Sequence, residues 1–341
     1  MRTALDICSG GGGEALGLEL AGFTTVGAVE IDKAACSTLR ANRPSLRVFE
    51  GDIRWVRGAD FRGVDLLAGG VPCPPFSIAG KQQGAGDERD LFPEALRLIA
   101  EARPAAVMLE NVPGFAAKKF TAYRAALIER LSCQGYTVDW RILNASAFGV
   151  PQLRPRFILV ALRQPYATAF HWPEEREVTV TVGETIGDLM AAHDWPGAEA
   201  WRLRAQSVAP TLVGGSKKHG GPDLGPVRAK KQWESLGVDG WGLANEAPGA
   251  ERPPDYMPRL TVRMVARLQG FPDEWVFVGG KTASYRQIGN ALPPPVAAAV
   301  GASILRALRG RRSRRVVYTM PATPQFVQGA LLTLASSGAQ G

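Results

Sequence analysis

A cysteine held between prolines, in Val71-Pro72-Cys73-Pro74-Pro75-Phe76-Ser77, is the residue best suited to covalent chemistry. It follows an apolar run over 64–68 and a Gly69-Gly70 turn. The prolines stiffen the backbone against a helix, which puts a soft nucleophile on a rigid loop at a strand end. Open α/β sheets place their active sites there. A lone cysteine is more often inert packing, so the assignment depends on what converges with it. Glu110-Asn111-Val112 follows a second apolar run, Val107-Met108-Leu109, and supplies an acid on a neighbouring strand. Gln152-Leu153-Arg154-Pro155-Arg156 precedes another strand and sends two guanidinium groups toward the same edge. For each of these charges the plain alternative is a solvated strand end. A thiol beside a carboxyl group suits covalent catalysis assisted by proton donation.

A second set of residues suits a nucleoside ligand. Asp6-Ile7-Cys8-Ser9-Gly10-Gly11-Gly12-Gly13-Glu14 has the form of a strand, a glycine turn and a helix start. Such a turn lets backbone amides approach a ligand closely. Glu30 ends the next candidate strand, where an acid can bind ribose hydroxyls. Asp52, in Glu50-Gly51-Asp52-Ile53, ends the third, within reach of an adenine amino group. A dinucleotide oxidoreductase would share the turn and Glu30, but it has no need of Asp52 together with a Pro-Cys loop.

These residues need a scaffold of alternating elements. Strands are expected at 4–7, 25–30, 46–50, 64–68, 106–109, 137–144 and 157–161, and helices at 14–21, 33–42, 92–102 and 120–134. Repeated β-α units predict a doubly wound, mostly parallel sheet over 1–165. From 166 to 257 the chain turns Gly- and Pro-rich with recurrent tryptophans, and Val178-Thr179-Val180-Thr181-Val182 alternates like a strand. This stretch has the character of an inserted second domain. Helices are expected again near 261–270 and over 296–308, followed by a low-information tail.

Composition narrows the class. The net charge of +8 fits a polyanionic partner, and Arg306, Arg309, Arg311, Arg312, Arg314 and Arg315 crowd the last basic stretch. The four cysteines form no CxxC pair and the three histidines are scattered, so no metal site is expected. No apolar run of membrane-spanning length and no signal peptide are evident, and a cytoplasmic protein is expected.

The motif order resembles the cytosine-5 DNA methyltransferases from residue 4 to about 308. The glycine turn, the Pro-Cys loop, Glu110-Asn111-Val112 and Gln152-x-Arg154-x-Arg156 stand in that family's sequence. So do the stretch from Arg259-Leu260-Thr261-Val262-Arg263 to Gly270-Phe271-Pro272-Asp273 and Gln287-Ile288-Gly289-Asn290-Ala291-Leu292-Pro293. The resemblance implies a Rossmann-like α/β fold with one antiparallel edge strand and a smaller irregular target-recognition domain. It divides the chain into a catalytic domain (1–165), a recognition domain (166–280), a returning segment (281–310) and a tail (311–341). It implies S-adenosylmethionine as methyl donor and no metal. It also implies double-stranded DNA as substrate and a monomer that acts apart from any cognate restriction endonuclease.

By the same resemblance Cys73 is the nucleophile and Glu110 the acid, with Arg154 and Arg156 supporting the loop and cytosine O2. Asp6, Cys8, Ser9, Gly10, Gly12, Glu30, Ile31, Asp52, Ile53 and Asn290 hold the cofactor. Ser77, Gln82, Thr211, Lys217 and Lys218 contact DNA, and the glycine-rich stretch 79–86 is a lid. Three positions depart from the family pattern. Cys8 stands where Phe is frequent, Pro74 where Gln is usual, and Met264 where Glu is common, which puts a small-domain salt bridge in doubt. A tRNA cytosine-5 methyltransferase and a catalytically silent DNA-binding homologue remain as alternatives.

Overall fold

Two strands with no polar side chain facing out set the centre of the sheet. β4 (Leu66–Gly70) is buried but for its last residue, and β5 (Ala106–Asn111) is buried throughout. Strands covered on both faces in this way belong inside a parallel sheet. The computed structural model, which describes residues 1–72, 90–176, 179–215 and 221–310, shows that sheet. In chain order the elements of the sheet domain are β1 (Arg2–Ile7), α1 (Gly13–Ala21), β2 (Phe23–Glu30), α2 (Lys33–Asn42), β3 (Val48–Glu50) and β4. After them come α3 (Phe92–Ala102), β5, α4 (Thr121–Cys133), β6 (Tyr136–Asn144), β7 (Gln152–Leu153) and β8 (Pro155–Arg163).

The sheet has seven strands in the order β3-β2-β1-β4-β5-β8-β6. The pairs from β3 to β5 are parallel, whereas β8 runs antiparallel to both β5 and β6. The antiparallel strand is therefore not at the edge, which corrects the expectation above. β6 takes the edge and alternates buried and exposed residues as a one-sided strand does, while β8 is apolar enough to be covered on both faces.

One face of the sheet packs Leu5, Leu67, Val107 and Leu109 against α3 and α4. The other packs Ala4, Leu66, Met108 and Ile158 against α10 (Pro294–Leu308). A Cβ at Gly17 of α1 would strike Pro294 and Ala297, and one at Gly301 would meet Leu18 at 2.9 Å, so α1 and α10 cross backbone to backbone.

The residues between are more regular than their sequence indicates. They form α5 (Val182–Met190), α6 (Ala198–Arg204), β9 (Ala209–Pro210), α7 (Val227–Ser235), α8 (Val262–Leu268) and α9 (Lys281–Asn290). Trp195, Trp201, Trp233 and Trp275 are buried in one core with Leu260, Tyr285 and Ile288, whereas Trp241 is exposed and Trp172 packs against the sheet side. Thr179 and Val180 are not in a strand, and Thr181 caps α5. Thr181 and Glu184 form a reciprocal capping box, and that local pairing overrides the β-like alternation. Met264 fills the matching position of α8. Its sulfur lies 3.4 Å from the Thr261 amide, so a weak acceptor replaces the carboxylate a capping box prefers.

α9 and α10 lie in an apolar stretch, Lys281–Leu308, long and apolar enough to cross a membrane. That corrects the expectation that no such run exists. Its most apolar window is 78 % buried inside the protein, as the core helix of a globular domain is.

Candidate active site

The carboxyl ends of β1, β2, β4 and β5 gather the chemistry. Glu110 is the fifth residue of β5 and sits in register with Gly70, the last residue of β4. A Cβ on Gly70 would lie 3.2 Å from Glu110 Oε2, so the acid leans over the end of β4. Asn111 Nδ2 donates to the carbonyl of Val71 at 2.9 Å and so pins the start of the Pro-Cys segment to β5. Nothing in the residue types around Asn111 pointed to that job. The described chain runs to Pro72. Cys73, Ser77, Gln82 and the proposed lid at 79–86 lie outside the described residues.

Glu110 Oε1 forms an ion pair with Arg156 Nε at 2.8 Å, and both side chains are about nine-tenths buried. Burial pushes the Glu110 carboxyl upward from its ordinary range, and the guanidiniums of Arg156 and Arg154 only partly offset this. An acid raised in this way is suited to hold a proton and donate it.

Arg154 has a different place. It is fully buried, with Nη1 donating to Leu212 O at 2.5 Å and Nη2 to Gly289 O at 2.6 Å and Ala291 O at 3.0 Å. Gln152 completes the junction. Its Nε2 donates to Gln269 Oε1 at 2.8 Å, and its Oε1 accepts from Leu212 N at 2.8 Å. Arg154 thus ties the inserted region and the returning segment to the sheet. All three of these acceptors are backbone carbonyls of the inserted region and the returning segment. Thr211 is held by the same junction through a hydrogen bond to Leu153 O at 2.5 Å, beside the short β7–β9 pairing. Lys217 and Lys218 fall outside the described residues, as do 311–341.

At the glycine turn, Cys8, Gly10 and Gly12 have positive φ values of 55°, 53° and 84°. A Cβ on Gly10 would meet nothing within 4 Å, so the turn opens to a ligand there. Gly11 and Gly12 are packed by protein instead. A Cβ on Gly11 would lie 3.1 Å from Phe277 and Gln287, and one on Gly12 would lie 2.8 Å from Trp275. Cys8 packs against the sheet core. Ser9 Oγ donates to Asp6 O at 3.0 Å and holds the turn rather than reaching outward.

Glu30 accepts backbone hydrogen bonds from Gly10, Ile31 and Asp32 at 2.7–2.9 Å. A carboxylate has capacity for further donors, so ribose hydroxyls remain compatible with it. Asp52 caps the turn that follows β3 and accepts from Arg54 N and Nη1. Ile53 is buried in the core, whereas Ile31 and Trp55 expose large apolar surfaces, 67 % and 80 %. Those two offer an apolar flank for a base, and Trp55 was not picked out from the sequence. Asn290 Nδ2 donates to Gly215 O at 3.1 Å, and its neighbour Ala291 packs against Gly13 of the turn.

Asp6 is fully buried, neither carboxyl oxygen makes a well-formed hydrogen bond among the described residues, and the nearby Ser9 hydroxyl offsets burial only in part. Burial pushes it up to about 8. An orphaned acid beneath an open glycine turn fits a ligand that brings its own positive charge, as the methionine end of S-adenosylmethionine does. Among the described residues no group of three or more His, Cys, Asp or Glu could hold a metal ion.

The family profile for C-5 cytosine-specific DNA methylase matches residues 2–306. Among relatives, the type II methyltransferase M.NaeI of Lentzea aerocolonigenes is 55 % identical over 308 residues, covering 89 % of this chain and 75 % of that protein. The type II methyltransferase M.NgoMIV of Neisseria gonorrhoeae is 52 % identical over 311 residues, covering 90 % and 98 %. Among solved structures, the Entamoeba histolytica methyltransferase EhMeth superposes with a TM-score of 0.64 at 15 % identity, covering 90 % of this chain and 99 % of that one. The S. pombe Dnmt2 methyltransferase superposes at 0.61 and 18 % identity, with coverage of 90 % and 99 %. At these identities the structural likeness bears on the fold alone.

Proposed function

The chain belongs to the C-5 cytosine-specific DNA methylase family, and from that premise we propose that it methylates C5 of a flipped cytosine in a specific duplex sequence, through a covalent adduct with Cys73. The observation that carries this reading is the buried Glu110–Arg156 pair at the end of β5, beside the point where β4 leads into the Pro-Cys segment.

C5 of cytosine is a poor nucleophile. Addition of the Cys73 thiolate at C6 makes C5 an enamine carbon able to attack an electrophilic methyl. Glu110 donates a proton, or a strong hydrogen bond, at N3 as the ring accepts the electron pair. Arg156 orients that carboxyl and balances its charge once the proton has moved. Loss of the C5 proton then restores the ring and expels the thiolate. The base must leave the helix stack for any of this to occur.

S-adenosylmethionine supplies the methyl group on a sulfonium. Asp6, Cys8, Ser9, Gly10 and Gly12 would take its methionine end, Glu30 the ribose, and Asp52, Ile31 and Ile53 the adenine, with Asn290 closing the pocket. Thr211 and the lysines 217 and 218, with Ser77 and Gln82, would meet DNA. The protein acts in the cytoplasm as a monomer, and any cognate endonuclease acts separately.

The test is transfer of labelled methyl from S-adenosylmethionine to duplex DNA and, side by side, to tRNA. Incorporation into DNA alone, abolished by Cys73→Ala together with trapping on 5-fluorocytosine DNA, is expected. Incorporation into tRNA alone, or trapping that persists in Cys73→Ala, would overturn the reading.

A further inference from the structure

One buried acid at the site has no role in the scheme above. Glu14 is the second residue of α1, directly after the glycine turn, and only 5 % of it is exposed. Its Oε1 has no hydrogen-bond partner among the described residues, and no lysine or arginine there forms an ion pair with it. Asp6 and Glu110 are the charged groups that act on it, and it lies beside the backbone amide of Gly69. Gly69 is on β4, the strand that pairs on one side with β1, which leads into the glycine turn, and on the other with β5, which carries Glu110.

Four acids are buried around the site, Asp6, Glu14, Glu30 and Glu110, and they are not equivalent. Glu110 has a protein cation, Arg156, at 2.8 Å. Asp6 and Glu14 have none among the described residues, and both are pushed upward chiefly by burial. The other charged groups around them are Glu30 on β2 and Glu19 on α1, which add negative charge near Asp6. A buried carboxyl with no partner is held neutral, unless a cation arrives to pair with its ionised form.

The methyl donor of the proposed reaction carries a sulfonium that becomes a neutral thioether when the methyl leaves. Its ammonium is present before and after. Only a group between the turn and the reaction centre is placed to register the difference, and Glu14 occupies that position. We infer that Glu14 is a cofactor-charge residue, an anion that favours the cationic methyl donor over its neutral product. This inference rests on the proposed function.

The consequence is a cofactor exchange driven by charge. Glu14 gives up its proton to solvent when the sulfonium binds beside it. After transfer the site holds an unpaired carboxylate against a thioether, and the product is the weaker ligand.

Calorimetric titration of the full chain with S-adenosylmethionine, S-adenosylhomocysteine and sinefungin, whose amine keeps a positive charge near the sulfonium position, tests this. In the unaltered protein, measurements in buffers of different ionisation enthalpy should show more proton release with the two cationic ligands than with S-adenosylhomocysteine. Glu14→Gln should weaken both cationic ligands by about tenfold, leave S-adenosylhomocysteine within about twofold, and remove the difference in proton release. Equal proton release for all three ligands in the unaltered protein overturns the inference without recourse to any variant. Equal weakening of all three in Glu14→Gln also overturns it, because that is the signature of lost packing. Failure of the unaltered protein to bind any of the three would instead overturn the proposed function.

Discussion

Trp275 donates its indole N–H to the carbonyl of Gly11 at 3.1 Å, so the cofactor turn is braced by a residue 264 positions away in sequence. The same ring lies under Gly12 and over the guanidinium of Arg43, 4.9 Å from its centroid. The middle glycines of the turn are therefore fixed as much by the returning chain as by a ligand. Trp275→Phe keeps most of the ring and removes the hydrogen bond, a loss of about 1 kcal/mol. The dissociation constant for S-adenosylmethionine should rise by roughly three- to tenfold, with turnover at saturation little changed. Calorimetry and saturation kinetics separate the two, and an unchanged affinity counts against the brace.

Arg154 and Arg156 stand two residues apart and should fail differently. Arg154→Ala removes a donor from the carbonyls of Leu212, Gly289 and Ala291, the last of which keeps Gln269 Nε2. A loss of about 3–5 kcal/mol is expected, visible in denaturant unfolding. Arg156→Ala leaves that junction intact. Its stability should fall less, while its turnover falls more than stability alone explains.

Glu110 should set the alkaline side of the rate profile. Its carboxyl is raised by burial and must carry a proton to act, so turnover should decline as pH rises through that raised value. Arg156 holds the carboxyl down, so Arg156→Ala should move the decline to higher pH. Glu110→Gln should lose the decline and about 10²–10⁴ in rate. A profile with the same alkaline limb in all three proteins would place the ionisation elsewhere.

Asp6 makes stability depend on pH in the opposite sense to a salt-bridged acid. Its folded value, about 8, lies above that of an unfolded aspartate. Its contribution is fully present below the unfolded value and is lost as pH rises through about 8. Without cofactor, Asp6→Asn should gain stability over the unaltered protein at pH ~9 and show a smaller gain at pH ~5. Thermal midpoints at the two values decide it. A gain that is equal at both, or absent, would show that Asp6 has a partner in solution.

The strands that carry Asp6, Glu30 and Glu110 were legible because they are short runs, mostly apolar, with a polar residue at or near the carboxyl end. The contacts of Arg154 were not legible because its partners are backbone carbonyls at 212, 289 and 291, and a carbonyl leaves no mark in a sequence. Glu14 was passed over because an acid in the first turn of a helix ordinarily faces solvent and the helix dipole. The position of β8 was misjudged because an apolar strand does not reveal its direction. The helices of the inserted region are short, seven to nine residues for α5, α6 and α7, and their stability comes from the tryptophan core rather than from helical periodicity.

The crossing of α1 and α10 has a consequence for how the protein is made. The sheet face bearing Ala4, Leu66 and Met108 lacks most of its cover until α10 exists, and Arg2 donates to the carbonyl of Leu308 at 2.8 Å. A ribosome adding about 5–20 residues each second needs roughly 15–60 s to travel between those two partners. For that interval the nascent chain carries an uncovered apolar sheet and a cofactor turn without its brace. A chain that stops short of α10 keeps that apolar face exposed and is prone to aggregate.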